Sequence, residues 1–239
     1  MRIEVLDHVA GARAARGITV IIDVFRACST LAVAVAEGAS RVLPAGSVAE
    51  AEALRARLPG ALLTGERHGR ALPGFDAGNS PTELAALGVC GRVLVHTTHA
   101  GTQGLVEASR ASDVLTGAFV NLSAVAGYIA ARRPDEVSLV RMGHEARERC
   151  VEDDLCARCL VDLLEGRDPG LRRVAELLQD APAARKFFDP ACEFAPEEDF
   201  DLCTDVDRYD FVLRLRRTSD GPPELERVDP PWQAGAAAQ

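Results

Sequence analysis

The sequence predicts an α/β protein with three layers, α/β/α, in which helices cover both faces of a largely parallel or mixed sheet. Two observations carry this. From the start of the chain, short β-rich runs alternate with longer Ala- and Leu-rich helical runs. The run Ile18 to Val24 is almost wholly apolar and rich in β-branched residues, as a strand covered on both faces requires. A length of 239 residues suits one large domain or two intertwined similar halves. Residues 1–217 read as a single domain, and 218–239, rich in Pro, Gly and Ala, as a flexible C-terminal tail.

In chain order, Met1 to Leu6 reads as a first strand and Ile18 to Val24 as a central one that ends on an acid, Asp23. A carboxylate there is costly unless it binds a metal, meets a base or reaches the crevice at the carboxyl ends of the strands. Phe25 to Thr30 lead into a helix that Ser29 or Thr30 can cap, with Arg26 at its mouth. Arg41 to Ala45 is a short strand. Ser47-Val48-Ala49-Glu50 then has the capping-box pattern and opens a helix whose apolar face is Ala51, Leu54 and Leu58. After the strand Ala61 to Thr64 comes the densest loop, Gly65 to Glu83. It carries Glu66, Arg67 and Asp76 and closes on Ser80-Pro81-Thr82-Glu83, a second capping box with Pro at the first helical position. The N–H groups of Gly78, Asn79 and Ser80 are thereby expected to point outward as an anion cradle, or simply to start a well-capped helix.

Arg92 to Thr97 is a strand, and His96 to Thr102 a polar turn at its end, offering Thr98, His99 and Thr102 as ligand contacts or as ordinary cap residues. Asp113 to Gly117 and Val137 to Met142 read as further strands, with a helix at Ser123 to Ala131 between them and Asn121 as its cap or a substrate contact. Gly143 to Arg149 reads as a solvated charged loop. Glu152, Asp153 and Asp154 precede the helical run Leu155 to Leu164, where three acids suit the helix dipole or hold a hard cation. Beyond Pro169 the pattern is irregular, with a short helix near Leu171 to Leu178 and a last strand at Phe211 to Leu215.

A net charge of −9 argues against nucleic-acid and anionic-membrane partners, and no apolar run approaches the roughly 20 residues of a membrane span. With no secretory-type apolar segment near the start, a cytoplasmic location is expected. Seven scattered cysteines then read as reduced thiols, and Cys156 and Cys159, spaced CxxC without a second pair, as core residues rather than a zinc site. One lysine, Lys186, stands against 26 arginines.

Collected, the strand ends and caps hold Asp23, Glu66, Asp76, Glu152 and Asp153 beside Arg26, Arg67, Ser29, Thr30, Asn79, Ser80 and Thr98. Carboxylates interleaved with arginines suit Mg²⁺ and a small phosphorylated anion. Walker A, GxGxxG and GxSxG patterns are absent. Asp23 has Phe25 two residues on, so a paired-aspartate phosphatase motif is missing as well.

In sequence order, Ile22-Asp23-Val24-Phe25-Arg26-Ala27-Cys28-Ser29-Thr30, Gly65-Glu66-Arg67, Gly74-Phe75-Asp76-Ala77-Gly78-Asn79-Ser80-Pro81, Thr97-Thr98 with Gly101-Thr102, and Glu152-Asp153 resemble the successive signatures of the 2-phosphosulfolactate phosphatase family. The resemblance implies Mg²⁺ dependence and hydrolysis of (2R)-phospho-3-sulfolactate to 3-sulfolactate and phosphate, a step of coenzyme M synthesis. Asp23, Glu66 and Glu152 or Asp153 are then the expected metal ligands. Asp23 or Asp76 is the expected carboxylate nucleophile if water does not attack directly, and Arg26, Arg67 and the Asn79-Ser80 helix start are the anion contacts. Where the family usually has Asn-Gly-Thr-Arg, this chain has Ala100-Gly101-Thr102-Gln103, and His99 replaces a hydroxyl. Those departures keep open another small phosphorylated hydroxy acid as substrate, or a non-catalytic anion-binding protein. A homodimer is compatible with either reading.

Overall fold

The computed structural model describes residues 1–217 and 221–232. Its elements in order are β1 (Arg2–Asp7), α1 (His8–Ala14), β2 (Ile18–Ile22), α2 (Ala27–Ala36), β3 (Arg41–Pro44), α3 (Val48–Arg57), β4 (Leu62–Arg67) and β5 (Arg70–Ala71). There follow α4 (Pro81–Ala86), β6 (Val93–Thr97), α5 (Gly101–Glu107), β7 (Asp113–Gly117), α6 (Leu122–Arg132), β8 (Glu136–Arg141) and α7 (Val151–Leu164). The last part holds α8 (Val174–Leu178), α9 (Glu197–Thr204), β9 (Val212–Arg216) and β10 (Glu224–Val228), with 3₁₀ turns at Leu171–Arg173 and Pro182–Phe187.

The strands form one mixed sheet in the order β1-β8-β2-β7-β9-β10-β3-β6-β4-β5. β1, β8, β2 and β7 are parallel, and so are β3, β6 and β4. Between these blocks lies the antiparallel hairpin β9–β10, paired antiparallel to β7 on one side and to β3 on the other. Three successive reversals make the two parallel blocks run in opposite senses. Helices lie on both faces, giving the three layers expected. One apolar cluster packs α6 and α7 onto the first block; another packs α1, α2 and α5 onto its other face; a third joins α3 to β3, β4 and β6.

β2 is buried at every position, which explains its β-branched composition: each side chain meets a helix layer. Both cap serines act as read, Ser47 Oγ accepting Glu50 N–H at 3.1 Å and Ser80 Oγ accepting Glu83 N–H at 3.1 Å. The two glutamates reach past the cap instead, accepting from Gly46 N–H (2.8 Å) and Gly78 N–H (3.0 Å). Cys156 and Cys159 are buried in the core cluster of α7.

The stretch expected as a tail departs from that reading. Its residues Glu224–Val228 are β10, which alternates well enough to pair with β9 over five positions and carries Leu225 into the core. Trp232 packs against Tyr128, ring centroids 5.8 Å apart, where Gly127 leaves room: a Cβ there would lie 2.9 Å from the indole nitrogen. Residues 218–220 and 233–239 of that stretch lie outside the described residues. No helix among the described residues is long and apolar enough to cross a membrane.

His96, on β6, is fully buried and bonds Thr64 Oγ1 through Nδ1 at 2.8 Å. Burial pushes its pKa down to about 3, with the Arg67 charge adding to the effect. The folded state therefore refuses a proton that the unfolded chain accepts below its ordinary 6.5. Stability contributed by neutral His96 is complete above that pH and falls by about 1.4 kcal/mol per pH unit on acidification toward 3. In urea unfolding between pH 7 and 4, the stability difference between the protein and His96→Gln is expected to move against the histidine protein with this slope below pH 6.5, the other titrating groups being common to both.

Candidate functional site

The carboxyl ends of β2 and β8 in one block and of β4 and β6 in the other meet at a cavity of about 240 Å³. Asp23 follows β2, Glu66 ends β4, His99 follows β6, and Gly143, His144 and Glu145 follow β8. Glu152 and Asp153 come from the first turn of α7, and Asn79 from the turn before α4. Strand ends deliver these side chains because their backbone leaves the ladder there, freeing groups to face a crevice.

The floor is acidic and buried. Asp23 and Glu66 are 8% exposed, Glu152 3% and Asp153 2%. Asp23 Oδ1 accepts the Ala27 N–H at 3.2 Å. On its other side α5 approaches so closely that a Cβ on Gly101 would sit 2.7 Å from Asp23 Oδ2. Only glycine fits there. Glu66 spans two loops, accepting from Gly69 N–H (2.7 Å) and His99 N–H (2.8 Å). Asp153 does the same for Val24 N–H (2.9 Å) and Gly143 N–H (2.8 Å). Glu152 Oε2 is buried with no partner among the described residues.

Burial pushes Asp23 up to about 6, against the pull of the Ala27 N–H and with help from the Glu66 charge. Burial likewise raises Glu152, and it raises Asp153 strongly, with the charges of Asp23 and Glu152 added. None of these acids has an ion-pair partner among the described residues, and buried carboxylates with raised pKa values mark a candidate functional site. They surround the cavity rather than converge: among the described residues, no three of these acids bring one oxygen each within 4.8 Å of one another.

Eight of the sequence candidates lie away from the cavity wall, each with a local reason. Asp76 accepts the Leu63 N–H at 2.8 Å and faces Arg55 at 3.2 Å, so it splices its loop onto the start of β4. Arg67 turns back along the strand, donating to Glu66 O (2.6 Å) and Thr97 Oγ1 (3.2 Å). Ser29 Oγ donates to Val24 O, and Thr30 Oγ1 to Asn79 O. Thr98 and Thr102 cap each other's backbone N–H groups at the start of α5. Asn121 Nδ2 donates to Phe211 O at 3.2 Å. Ser80 Oγ, besides capping α4, donates to Asp199 Oδ1 at 2.8 Å.

Asp199 also corrects the expected anion cradle. Its Oδ1 accepts the Thr82 N–H at 3.1 Å, and the Gly78 N–H is taken by Glu83, so the chain supplies its own carboxylate to the start of α4. Arg26 lines the cavity but is committed to the same residue. Its Nη1 donates to Asp199 Oδ2 at 2.6 Å and to Phe194 O at 2.7 Å, with both ion-pair side chains essentially buried.

Sequence reasoning missed Lys186, His68, His144 and Glu145 on the cavity wall. Lys186 comes from the 3₁₀ turn Pro182–Phe187 and has no carboxylate within ion-pair distance among the described residues; its Nζ donates to Phe25 O at 3.4 Å. Burial lowers its pKa, as does the Arg26 charge, against the pull of Glu152 and Asp23. The signal was present: it is the one lysine of the chain. Cys28 is no thiolate candidate, because burial and the Asp23 charge push it well above the usual thiol range.

A family model described as 2-phosphosulpholactate phosphatase matches residues 5–218. A protein of Thermotoga petrophila named "Probable 2-phosphosulfolactate phosphatase" is 37% identical over 205 residues, 82% of this chain and 88% of its own length. One of Thermotoga maritima with the same name is 36% identical over 170 residues, covering 71% and 69%. Another, of Caldanaerobacter subterraneus subsp. tengcongensis, is 31% identical over 212 residues, covering 82% and 87%. With the match running over nearly the whole chain and including every strand-end acid of the cavity, the protein belongs to the 2-phosphosulpholactate phosphatase family, a family of phosphoric monoester hydrolases.

Proposed function

We propose that this chain is a Mg²⁺-dependent phosphatase that hydrolyses 2-phospho-3-sulfolactate to 3-sulfolactate and phosphate. The observation that carries the reading is the cavity floor of four buried carboxylates, faced by Lys186, which has no ion-pair partner among the described residues. Such a floor repels an anionic ester unless a cation neutralises it, and Glu152 Oε2 is a buried acceptor with no partner among the described residues. The donor set fits the proposed ion, since Mg²⁺ takes a few carboxylates and completes its shell with water and phosphate oxygen. Asp23 and Glu152 offer the freest oxygens, and Glu66 and Asp153, each tied to two backbone N–H groups, support them. When bound, the ion supplies charge neutralisation at the phosphoryl oxygens and acidifies a coordinated water.

The chain's own groups do the rest. Lys186 Nζ meets a phosphoryl or leaving-group oxygen. The Asn79 side chain, whose Oδ1 is buried without a partner among the described residues, orients the ester at the cavity edge. Of the two aspartates the sequence offers as nucleophile, Asp23 alone lies at the cavity, so attack on phosphorus comes from Asp23 or from water. A second reading rests on Gln103. Its Nε2 donates to His99 O at 2.9 Å, so this position holds a turn together where an arginine would bring charge. A phosphorylated hydroxy acid without a sulfonate is then the alternative substrate.

Phosphate release from phosphosulfolactate and a panel of small phosphate esters, with Mg²⁺ and with EDTA, tests both. Metal-dependent release selective for phosphosulfolactate supports the first reading; release from another ester supports the second; release from none removes the phosphatase reading. Lys186→Met is expected to lower kcat/KM about 10²–10³-fold, as losing one charged transition-state donor does, without lowering the melting temperature, because the charge it removes is partly desolvated and has no ion-pair partner among the described residues. Steady-state kinetics and a thermal melt check both halves.

A further inference from the structure

At the lip of the cavity three side chains from three separate loops come together: His68 from the β4–β5 turn, His99 from the turn after β6, and Glu145 from the loop after β8. One ligand-type atom from each lies within 4.8 Å of the other two. His68 Nδ1 is hydrogen-bonded to Glu145 Oε1, and the two imidazole rings stand 5.2 Å apart edge to face. His99 Nδ1 is buried and has no partner among the described residues.

His99 is also held at both backbone groups. Its N–H donates to Glu66 Oε1 at 2.8 Å, and its carbonyl accepts Gln103 Nε2 at 2.9 Å.

Two imidazoles and one carboxylate are borderline donors, and they favour Zn²⁺ and its neighbours over Mg²⁺, which wants oxygen. The cavity floor offers oxygen alone, so floor and lip differ in kind. We propose that His68, His99 and Glu145 form a site for a borderline divalent cation of the zinc class, with its remaining coordination position facing the cavity that all three residues line. Tetrahedral bonds of about 2.1 Å place donors about 3.4 Å apart, so His68 and Glu145, now hydrogen-bonded to each other, must part slightly to admit an ion between them. His68, with 70% of its side chain exposed, is free to make most of that movement. An ion there puts positive charge at the mouth of an otherwise acidic cavity, where an anionic ligand enters. The site does not depend on the phosphatase reading.

The test uses the full chain, stripped with a chelator and held in excess Mg²⁺ so that oxygen sites are filled. Zn²⁺ is titrated calorimetrically, and Co²⁺ is followed by its visible d–d absorption. One equivalent of Zn²⁺ is expected to bind despite the Mg²⁺. Co²⁺ should give the intense bands of a four-coordinate ion without the near-ultraviolet sulfur charge-transfer band that any of the seven cysteines would add. His68→Gln, at an exposed position, should weaken Zn²⁺ binding roughly tenfold or more, and His99→Gln likewise. Absence of Mg²⁺-resistant binding, a sulfur charge-transfer band, or unchanged Zn²⁺ affinity in His68→Gln would each overturn the proposal.

Discussion

Asp23→Asn is expected to abolish turnover and, at the same time, to make the metal-free protein more stable. The carboxylate is 8% exposed, and its pKa is raised from 3.8 to about 6 by burial. The folded state thus binds its proton more tightly than the unfolded chain does, so stability falls as pH rises from 3.8 to about 6. At pH 7 the ionised group costs about 2–3 kcal/mol. Asparagine carries no such cost, and its Oδ1 can keep the Ala27 N–H bond. The variant should gain that amount in urea unfolding at pH 7, and the gain should vanish near pH 4. Phosphate release should fall by at least about 10³-fold, since either route of attack needs the carboxylate. A variant that is fully active, or one stabilised equally at pH 4 and pH 7, would separate Asp23 from this role.

The second large effect belongs to Asp199. Its carboxylate receives Arg26 Nη1, Ser80 Oγ and the Thr82 N–H, and it is wholly buried. Asp199→Asn leaves the Arg26 guanidinium buried beside a neutral amide, a change expected to cost about 3–5 kcal/mol. Asp201→Asn, exposed on the same helix, should stay within about 0.5 kcal/mol. Because Arg26 and the start of α4 are pinned through Asp199, the loss should also loosen Asn79. An increase in KM measured well below the unfolding temperature would show that. Equal stability of the two variants would mean that the buried pair contributes nothing beyond a surface one.

The sequence discloses what is local. Asp113 to Gly117 matches β7 residue for residue, and other strands agree within a few positions, because β-branched runs between helix-period segments have few alternatives. Both serine caps act because the N–H they accept is three residues away. Asp23, Glu66, Glu152 and Asp153 were visible for the same reason: an acid at a strand end or in a first helical turn stands out against its neighbours.

What could not be read is long-range. Asp76 looks as catalytic as Glu66 until the fold shows that it caps the start of β4 rather than the end. Arg26 looks like a free anion receptor because nothing in the acidic stretch Glu193 to Asp201 marks Asp199 as its partner. Lys186 lies in an irregular segment with no period to place it. Its distinguishing mark is chemical: a chain that uses arginine almost everywhere keeps, at this one wall, the cation whose pKa burial shifts most readily. β10 was hidden by the turn residues before it and by pairing that only the completed sheet provides.

The order of strands also sets a timetable on the ribosome. The β3-β6-β4 block uses residues 41–97 and is complete early in synthesis. β1 and β2, by contrast, are not neighbours; each pairs with β8, which ends at Arg141. Until that residue has emerged, β1 has no neighbour in the sheet and β2 has only β7, so both keep an open edge, exposed to wrong partners for the several seconds that about 5–20 residues per second imply. The hairpin that joins the blocks arrives later still, with Val228. Glu66 is therefore in place on its strand long before Asp23 is, and slow codons between residues 97 and 141 should lower the yield of soluble protein more than slow codons placed after residue 228.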